Sequence, residues 1–208
     1  MSKLIVPDHS LIKEKITTLR SKETSVKDFR ALITEISLLL GFEVTKNLPT
    51  LEKEVETPLC KTKGSSLSKK VVLVPVLRAG LGMVDAFLTL IPDAEVGHIG
   101  LCRNHETLLP EEYYANLPEN IGEKEVIVLD PMLATGGSAA YAIECLKKRG
   151  AKSIKYAGII GAPEGVKVMQ NSHSDVDIFI ASLDEKLNEK GYIMPGLGDA
   201  GDRIFGTL

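Results

Sequence analysis

Residues 126–138 place an acid, two hydroxyls and two glycines in an order that suits phosphate binding. An apolar, strand-like run ends at Asp130, and the turn Thr-Gly-Gly-Ser at 135–138 opens a helical pattern. The first N–H groups of a helix lack intrahelical acceptors and lie at the positive end of its dipole, so they can bind a phosphate. The hydroxyls of the turn add donors, and the Asp130 carboxylate can accept hydrogen bonds from a sugar.

This turn does not match the common nucleotide-binding motifs. A P-loop needs a lysine after its last glycine, whereas Ser138 follows Gly137. The dinucleotide fingerprint Gly-x-Gly-x-x-Gly does not follow the strand either. The alternative to a phosphate site is an ordinary strand-to-helix turn in which glycine allows tight geometry.

A second turn of the same kind follows the run Val-Pro-Val-Leu at 74–77. Arg78 comes directly after this run, Gly80 and Gly82 follow, and a helical stretch covers 81–90. Ligands of open α/β sheets bind at the carboxyl ends of the strands, so Arg78 is expected to face the same cleft as the acid of the first turn. Its planar guanidinium suits an anion with several oxygens. A surface arginine at a strand end is the simpler alternative.

The C-terminal residues 191–207 carry five glycines interleaved with apolar residues. The apolar residues predict that this segment packs back on the protein rather than fraying. Glycine lets a backbone approach a flat ligand closely and present N–H and C=O groups at fixed spacing. That arrangement suits the edge of a pyrimidine, which alternates hydrogen-bond acceptors and donors. A cluster of tight turns is the alternative.

The apolar periodicity predicts two N-terminal helices, over 9–20 and 26–40, with Gly41 ending the second. Residues 44–63 are polar, contain two prolines and alternate partially. This pattern indicates an extended arm or a hairpin.

Five apolar runs predict buried strands. Apolar residues at consecutive positions are typical of strands covered on both faces, which favours an α/β fold with a mostly parallel central sheet flanked by helices. Pro75 lies inside one run, so that strand is expected to be at an edge or bent there. We expect one domain over 1–208, with N-terminal helices and arm (1–63), core sheet (71–181) and C-terminal recognition segment (191–207). The runs are 71–77, 95–101, 126–129, 155–160 and 176–181.

The composition is that of an ordinary soluble globular protein, with 44% hydrophobic and 25% charged residues. A net charge of −3 gives no overall attraction to nucleic acid or to an anionic membrane. The three cysteines are widely spaced, without a Cys-x-x-Cys pair, which fits a reducing cytosol. No apolar run approaches the ~20 residues of a membrane helix, and we expect a cytoplasmic protein.

Together these segments resemble the uracil phosphoribosyltransferases, a branch of the type I phosphoribosyltransferase family. The similarity rests on Val-Pro-Val-Leu-Arg-Ala-Gly-Leu-Gly-Met (74–83), Val-Leu-Asp-Pro-Met-Leu-Ala-Thr-Gly-Gly-Ser (128–138), Ala-Pro-Glu-Gly (162–165) and the run 187–207. The resemblance implies a type I phosphoribosyltransferase-like sheet whose C-terminal segment recognises uracil. It also implies the reaction of 5-phosphoribosyl-1-pyrophosphate (PRPP) with uracil to give UMP and pyrophosphate, with Mg²⁺ as cofactor.

The resemblance also assigns residues to the two substrates. The implied catalytic residues are Arg78, Arg103 and Asp130. The implied PRPP site consists of these three residues with Pro131, Met132, Leu133, Ala134, Thr135, Gly136, Gly137, Ser138 and Asp199. The implied uracil site consists of Tyr192, Ile193, Gly198, Asp199 and Ala200. Because a proline rather than a second acid follows Asp130, no protein ligand is expected for Mg²⁺, which PRPP and water would mainly hold.

The resemblance further implies a homodimer or homotetramer, with the 44–63 arm as a candidate contact, and GTP as an allosteric activator. No nucleic-acid or membrane partner is expected. Residues 103–118 are expected to form either a mobile flap over PRPP or an ordinary surface loop. Asp202 is expected to cap a helix or a turn.

Two other functions are alternatives. The first is a regulatory RNA-binding protein on the same scaffold, which would need a basic face. The only dense basic run, 147–149, ends a predicted helix, where the helix dipole explains it. The second is transfer to another base, such as a purine or orotate, and the 191–207 segment argues against it.

Overall fold

The computed structural model describes residues 2–103 and 110–207. The helices in these residues are α1 (Ser10–Arg20), α2 (Val26–Thr45), α3 (Leu81–Leu90), α4 (Gly137–Lys148), α5 (Pro163–Ser172) and α6 (Ala200–Phe205). The strands are β1 (Leu4–Ile5), β2 (Thr50–Glu56), β3 (Lys61–Leu67), β4 (Val71–Leu77), β5 (Glu95–Val96), β6 (His98–Arg103), β7 (Pro110–Asn116), β8 (Glu125–Leu129), β9 (Met132–Leu133), β10 (Ser153–Gly161), β11 (Asp177–Leu183), β12 (Lys186–Leu187) and β13 (Ile193–Met194).

The central sheet has the strand order β1-β11-β10-β8-β4-β6-β7, and neighbours are parallel except for the β6–β7 pair. The short strands β5 and β9 also pair in parallel, with β4 and β10. The chain leaves β4 toward β6 on one side and leaves β8 toward β10 on the other. This change of direction opens a crevice at the carboxyl ends of β4 and β8, where α/β proteins bind ligands. The predicted α/β fold with a mostly parallel sheet is confirmed.

Strand β4 shows why the apolar runs become parallel strands. Val71 and Leu73 belong to a core cluster formed with α1, α2 and α3, whereas Val72 and Val74 belong to a cluster formed with α4 and α5. Successive side chains point to opposite faces of a strand. A strand covered on both faces is therefore apolar at every position.

The second helix ends later than predicted. Its start is capped by Ser25, whose hydroxyl accepts from the N–H of Asp28 at 3.2 Å, but the helix continues past Gly41 to Thr45. The prediction that Gly41 ends the helix is wrong. A Cβ at this position would lie 2.6 Å from Leu90 Cδ1, so the glycine permits close packing of α3 against α2.

Two other predictions change in their bounds. The predicted arm is a hairpin in which β2 and β3 pair antiparallel, and it extends to Leu67 instead of ending at residue 63. The predicted strand 95–101 is two strands, β5 and β6, interrupted at Gly97. Among the residues that the structure describes, no helix is both long and apolar enough to cross a membrane.

Of the two alternatives predicted for Pro75, an edge strand or a bend, the edge position is wrong. Strand β4 lies between β8 and β6, and Pro75 is in register with Leu129 of β8. On the other side β4 pairs with β5 through Leu73 and with β6 through Val76. Pro75 therefore lies where β4 changes partners, a position at which a missing N–H is tolerated.

Candidate active site

The three segments singled out in the sequence meet at the carboxyl ends of β4 and β8. At Gly80, in the turn after β4, a Cβ would lie only 2.3 Å from the carbonyl oxygen of Leu129, the last residue of β8. At Gly201, in α6, a Cβ would lie 3.8 Å from Cβ of Ala79. The structure thus brings the arginine turn, the end of β8 and the C-terminal segment into one site.

The turn between β9 and α4, residues 134–136, has the geometry of an anion site. Gly136 adopts a φ of 79°, and a Cβ there would lie 2.7 Å from the carbonyl oxygen of Gly165. Helix α4 starts at Gly137, and Ala140 N–H donates to the Gly136 carbonyl in its first turn. The preceding N–H groups of the turn have no intrahelical acceptor to reach. Residues 134–138, named here the phosphate loop, therefore present N–H groups and hydroxyls to an anion.

The motif Ala-Pro-Glu-Gly supports this loop from behind. At Gly165, in the first turn of α5, a Cβ would lie 2.3 Å from the carbonyl oxygen of Ala134. The carboxylate of Glu164 accepts from the N–H of Leu187 in β12 at 3.0 Å. The motif therefore joins the phosphate loop to the strand pair that begins the C-terminal segment.

Asp130 lies directly after β8 with its carboxyl group largely desolvated. Burial raises the pKa of Asp130 to about 7, against the smaller opposing effect of a hydrogen bond from the N–H of Met132 at 3.4 Å. The hydroxyl of Tyr156, a fully buried side chain of β10, donates to the Asp130 carbonyl oxygen at 3.0 Å. The backbone of Asp130 is thus fixed, and donors such as ribose hydroxyls would favour its charged form.

Arg78 follows β4, and its side chain is 58% exposed. Its Nη2 lies 3.5 Å from Asp202 Oδ1, and its guanidinium carbon lies 5.6 Å from the centre of the Phe205 ring. These contacts are long, so they leave the guanidinium accessible to an anion in the crevice. Asp202 does not cap α6, so the predicted role as a helix cap is wrong. The cap is Asp199, whose Oδ1 accepts from the Asp202 N–H at 2.9 Å.

The C-terminal segment offers backbone groups more than side chains. The side chain of Ile193 is buried in the core, while Tyr192 is half exposed and Gly198 adopts a φ of 81°. The N–H of Ala200 donates to Met132 Sδ at 3.4 Å. This weak bond ties the C-terminal segment to the chain just before the phosphate loop. At Gly191 a Cβ would lie 3.6 Å from Thr135 Cγ2 of that loop.

Part of the predicted flap 103–118 lies outside the described residues. The backbone of Arg103 ends β6 opposite Pro110, its side chain is outside the description, and so are residues 104–109. From Pro110 to Asn116 the chain forms β7, an antiparallel strand of the central sheet, so an irregular surface loop is wrong for this part. Glu112 of β7 forms a two-bonded ion pair with Arg149.

The basic run at the end of α4 is neutralised by acids. Lys147 pairs with Asp175 at 2.6 Å, Lys148 with Glu144 at 2.7 Å, and Arg149 with Glu112 at 2.6 Å. The run therefore does not form the free basic face that RNA binding by this helix would require.

Comparison with known proteins agrees with this geometry. A family model described as Uracil phosphoribosyltransferase matches residues 6–207. The chain is similar to the uracil phosphoribosyltransferases of Clostridioides difficile (strain 630), with 57% identity, and of Bacillus cytotoxicus, with 61% identity. Each alignment covers 208 residues and the whole of both chains. The chain belongs to the uracil phosphoribosyltransferase family.

Solved structures share the fold of this chain. A protein from Aquifex aeolicus matches with a TM-score of 0.91 and 41% identity over 97% of each chain. A hypoxanthine-guanine phosphoribosyltransferase from Bacillus anthracis matches with a TM-score of 0.54 and 14% identity, over 76% of this chain and 80% of that one. The second likeness shows the fold alone, which is that of the type I phosphoribosyltransferases.

The sequence analysis assigns no role to two residues that support the Asp130 and phosphate-loop side of the site. Tyr156 precedes the apolar run 157–161 of β10, and a buried hydroxyl needs a hydrogen-bond partner, so its position is a usable signal. Glu164 gave no signal beyond its motif, because its partner Leu187 lies 23 positions away and pairs through a main-chain N–H.

Proposed function

We propose that the protein transfers the 5-phosphoribosyl group of PRPP to N1 of uracil, giving UMP and pyrophosphate, a step of pyrimidine salvage. The observation that carries this proposal is the closeness of the C-terminal segment to the phosphate loop and to the chain just before it. Thr135 lies against Gly191, and Met132 accepts from the N–H of Ala200. A ligand with a phosphate at one end and a base at the other can therefore span both segments.

The anionic ends of PRPP have separate places in this arrangement. The 5-phosphate fits the N–H groups and hydroxyls of the phosphate loop. The Asp130 carboxylate lies between this loop and β8, where it can accept from the ribose hydroxyls. Arg78 lies across the crevice at the end of β4 and suits the pyrophosphate, with Arg103 assigned to the same group by family resemblance.

Displacement at the anomeric carbon develops positive charge on the ribose and negative charge on the departing pyrophosphate, as in other glycosyl transfers. Arg78 can stabilise the growing negative charge because its guanidinium is accessible and can donate to several anion oxygens. Holding N1 of uracil in line with the leaving group supplies much of the remaining acceleration. The negative charge of Asp130 also favours a cationic ribose.

The residues present fit a magnesium ion that is carried by the substrate. Mg²⁺ prefers oxygen ligands and keeps several waters, so one or two carboxylates beside substrate phosphates suffice. PRPP and water would supply most of its ligands, and the carboxylates of Asp130 at the crevice and of Asp199 on the exposed C-terminal segment would be the protein groups nearest to it. Among residues 2–103 and 110–207, no group of three or more His, Cys, Asp or Glu side chains could hold a metal ion. When bound, Mg²⁺ would neutralise charge on the pyrophosphate.

The experiment that tests this function is a panel of bases. Purified protein is incubated with PRPP, Mg²⁺ and either uracil, cytosine, hypoxanthine or orotate, and nucleotide and pyrophosphate are quantified. We expect UMP from uracil and negligible product from the other bases. A different preferred base, or no nucleotide from any base, would overturn the proposal.

Assembly and regulation are proposed by family resemblance. The β2–β3 hairpin exposes Leu51 (59%) and Leu59 (95%), which suits a contact between copies in a homodimer or homotetramer. Light scattering with and without the variant Leu59→Ser tests this contact, and a monomeric wild type would contradict it. GTP activation is tested by the dependence of the uracil reaction rate on GTP concentration. A cytoplasmic location is proposed on the same resemblance.

A further inference from the structure

A buried ion pair links the first helix to the C-terminal segment. Asp184 follows β11, and its side chain is 1% exposed. Arg20, the last residue of α1, donates from Nη1 to Asp184 Oδ2 at 2.7 Å and from Nη2 to Asp184 Oδ1. The pair is bidentate, the geometry in which arginine fixes both the distance and the orientation of a carboxylate.

Both main-chain polar groups of Gly196 bind to this pair. Its N–H donates to Asp184 Oδ2 at 2.9 Å, and its carbonyl oxygen accepts from Arg20 Nη1 at 2.7 Å. Gly196 has a φ of 67°, and a Cβ there would lie 2.1 Å from the carbonyl oxygen of Ile193. The ion pair therefore fixes a sharp turn inside the C-terminal segment, two residues before Gly198.

A second arginine, Arg203 of α6, binds the residue that follows Gly196 and also binds the chain just after α1. Arg203 Nη1 donates to the Leu197 carbonyl oxygen at 2.8 Å, and its Nη2 donates to the Ser21 carbonyl oxygen at 2.6 Å. Its guanidinium also lies 4.3 Å from the centre of the Phe29 ring. Two arginines thus bind the carbonyl groups of the consecutive residues Gly196 and Leu197. The first is the last residue of α1, and the second also binds the residue just after that helix.

We propose that Arg20 and Asp184 are positioning residues for base recognition. By fixing the Gly196 turn, they set the directions of two main-chain groups. We assign the Gly198 carbonyl to N3–H of uracil, and the Ala200 N–H to O4 in place of its weak bond to Met132 Sδ. This inference rests on the proposed function. A buried ion pair is a poor source of stability compared with apolar packing. Its two bonds to one main-chain turn instead determine the local geometry of the segment.

The test is the variant Arg20→Lys, assayed with each substrate varied in turn. Lysine keeps the positive charge beside Asp184 but cannot donate in the same fork to both carboxylate oxygens and to the Gly196 carbonyl. We expect KM for uracil to rise about 10- to 100-fold, since a misplacement of about 1 Å costs this much. KM for PRPP should stay within about twofold, and the preference for uracil over cytosine should fall, because backbone directions select the base.

The matched control is Lys15→Ala. Lys15 is on the same helix and pairs with Glu35 of α2 at 2.6 Å, away from the C-terminal segment. We expect wild-type kinetics from this variant. An equal rise of KM for uracil in Lys15→Ala would show that general packing of α1, and not the ion pair, sets the base site, and would overturn the proposal.

If Arg20→Lys does not fold, the variant Asp184→Asn tests the positioning role instead. The asparagine keeps the size and one acceptor oxygen but loses the charge and the bidentate bond, so the same rise of KM for uracil is expected. Unchanged KM for uracil in a folded variant, or an equal loss toward PRPP and uracil, would overturn the positioning role. Failure of the proposed function is distinguishable, because the wild-type protein itself would then make no UMP.

Discussion

The phosphate loop and the C-terminal segment lie side by side, but they are built in opposite ways. The phosphate loop is local: strand β8, the loop and helix α4 follow one another over residues 125–148. The C-terminal segment has its turn at Gly196 fixed by Arg20 and Asp184, which are 176 and 12 positions away. One region takes its shape from its own sequence, and the other takes it from distant side chains.

The two regions also differ in the groups that fix their backbone conformation. The phosphate loop depends on glycines that lie close to a neighbouring backbone, as Gly136 does to Gly165 and Gly165 does to Ala134. The C-terminal segment depends on arginines that bind its carbonyl groups, namely Arg20 and Arg203. Changes of volume are therefore expected to damage the first region, and changes of hydrogen bonding to damage the second.

The largest expected effect concerns base choice. Uracil presents an acceptor at O4 and a donor at N3, whereas cytosine presents a donor and an acceptor at these positions. With cytosine, the Gly198 carbonyl would be buried without a partner, and the Ala200 N–H would keep only its weak bond to Met132 Sδ. Sites built on hydrogen bonds reject such mismatches by ~10⁴ or more. The measurement is kcat/KM for each base, and comparable values would remove these groups from the base site.

Two substitutions sharpen the same point. Gly198→Val should abolish the reaction with uracil, since it places a branched side chain at a φ of 81° beside the proposed base position. Leu197→Met should have a mild effect, because this buried side chain packs in the core and the two residues have similar volume. Full activity of Gly198→Val would contradict the assignment.

The second prediction concerns the pyrophosphate side of the site. Arg78→Ala should lower turnover by about 10²- to 10³-fold, because charge on the departing pyrophosphate develops only in the transition state. KM for uracil should change much less, since Arg78 contacts α6 only through a long ion pair and its ring contact with Phe205. Steady-state kinetics with both substrates check this, and a near-normal kcat/KM for PRPP would exclude the role.

The contrast between the two regions explains what the sequence could predict. The strand, the acid and the glycine turn before α4 are adjacent in the chain, so periodicity and turn chemistry locate the phosphate loop. The glycines of the C-terminal segment are equally visible. The role of Arg20 is not visible in the sequence, because an arginine at the end of a helix is usually explained by the helix dipole.

Errors in the fold prediction have the same origin. Gly41 looks like a helix end because glycine commonly ends helices, but contact with Leu90 makes it a packing residue inside α2. Pro75 looks like an edge residue, but the change of partner from β5 to β6 accommodates it inside the sheet. In both cases contacts with residues distant in the sequence determine the local structure, and the propensities of single residues do not reveal such contacts.

The third prediction tests the dependence of the phosphate loop on glycine. Gly165→Ala should lower the free energy of unfolding by about 2–3 kcal/mol and raise KM for PRPP, because its Cβ would lie 2.3 Å from the Ala134 carbonyl oxygen. Gly137→Ala is the control for stability, since the nearest atom to its Cβ would be the Thr135 hydroxyl oxygen, at an ordinary contact distance of 3.8 Å. Denaturant unfolding of both variants provides the comparison, and equal stability would show that the loop relaxes freely.

The last prediction concerns Asp130 and its pH dependence. Burial raises the pKa of Asp130 to about 7, from about 3.9 in an unfolded chain. Its contribution to stability is therefore fully present below about pH 4 and is lost as the pH rises through about 7. Asp130→Asn removes this loss. The melting temperature of the variant minus that of the wild type should therefore be larger at pH 8 than at pH 5.

Activity should change in the opposite direction, because the carboxylate is the form that accepts from the ribose hydroxyls. In the wild type, kcat/KM for PRPP should rise with pH through about 7, since deprotonation of Asp130 has that midpoint. Asp130→Asn should lack this rise and be about 10-fold less active at pH 8, from the loss of a charge-assisted hydrogen bond. The pH profiles of kcat/KM and melting temperature, measured on both proteins, check the two effects together. A variant that keeps the wild-type rise in activity would show that another group titrates, and Asp130 would then have no role in holding the ribose.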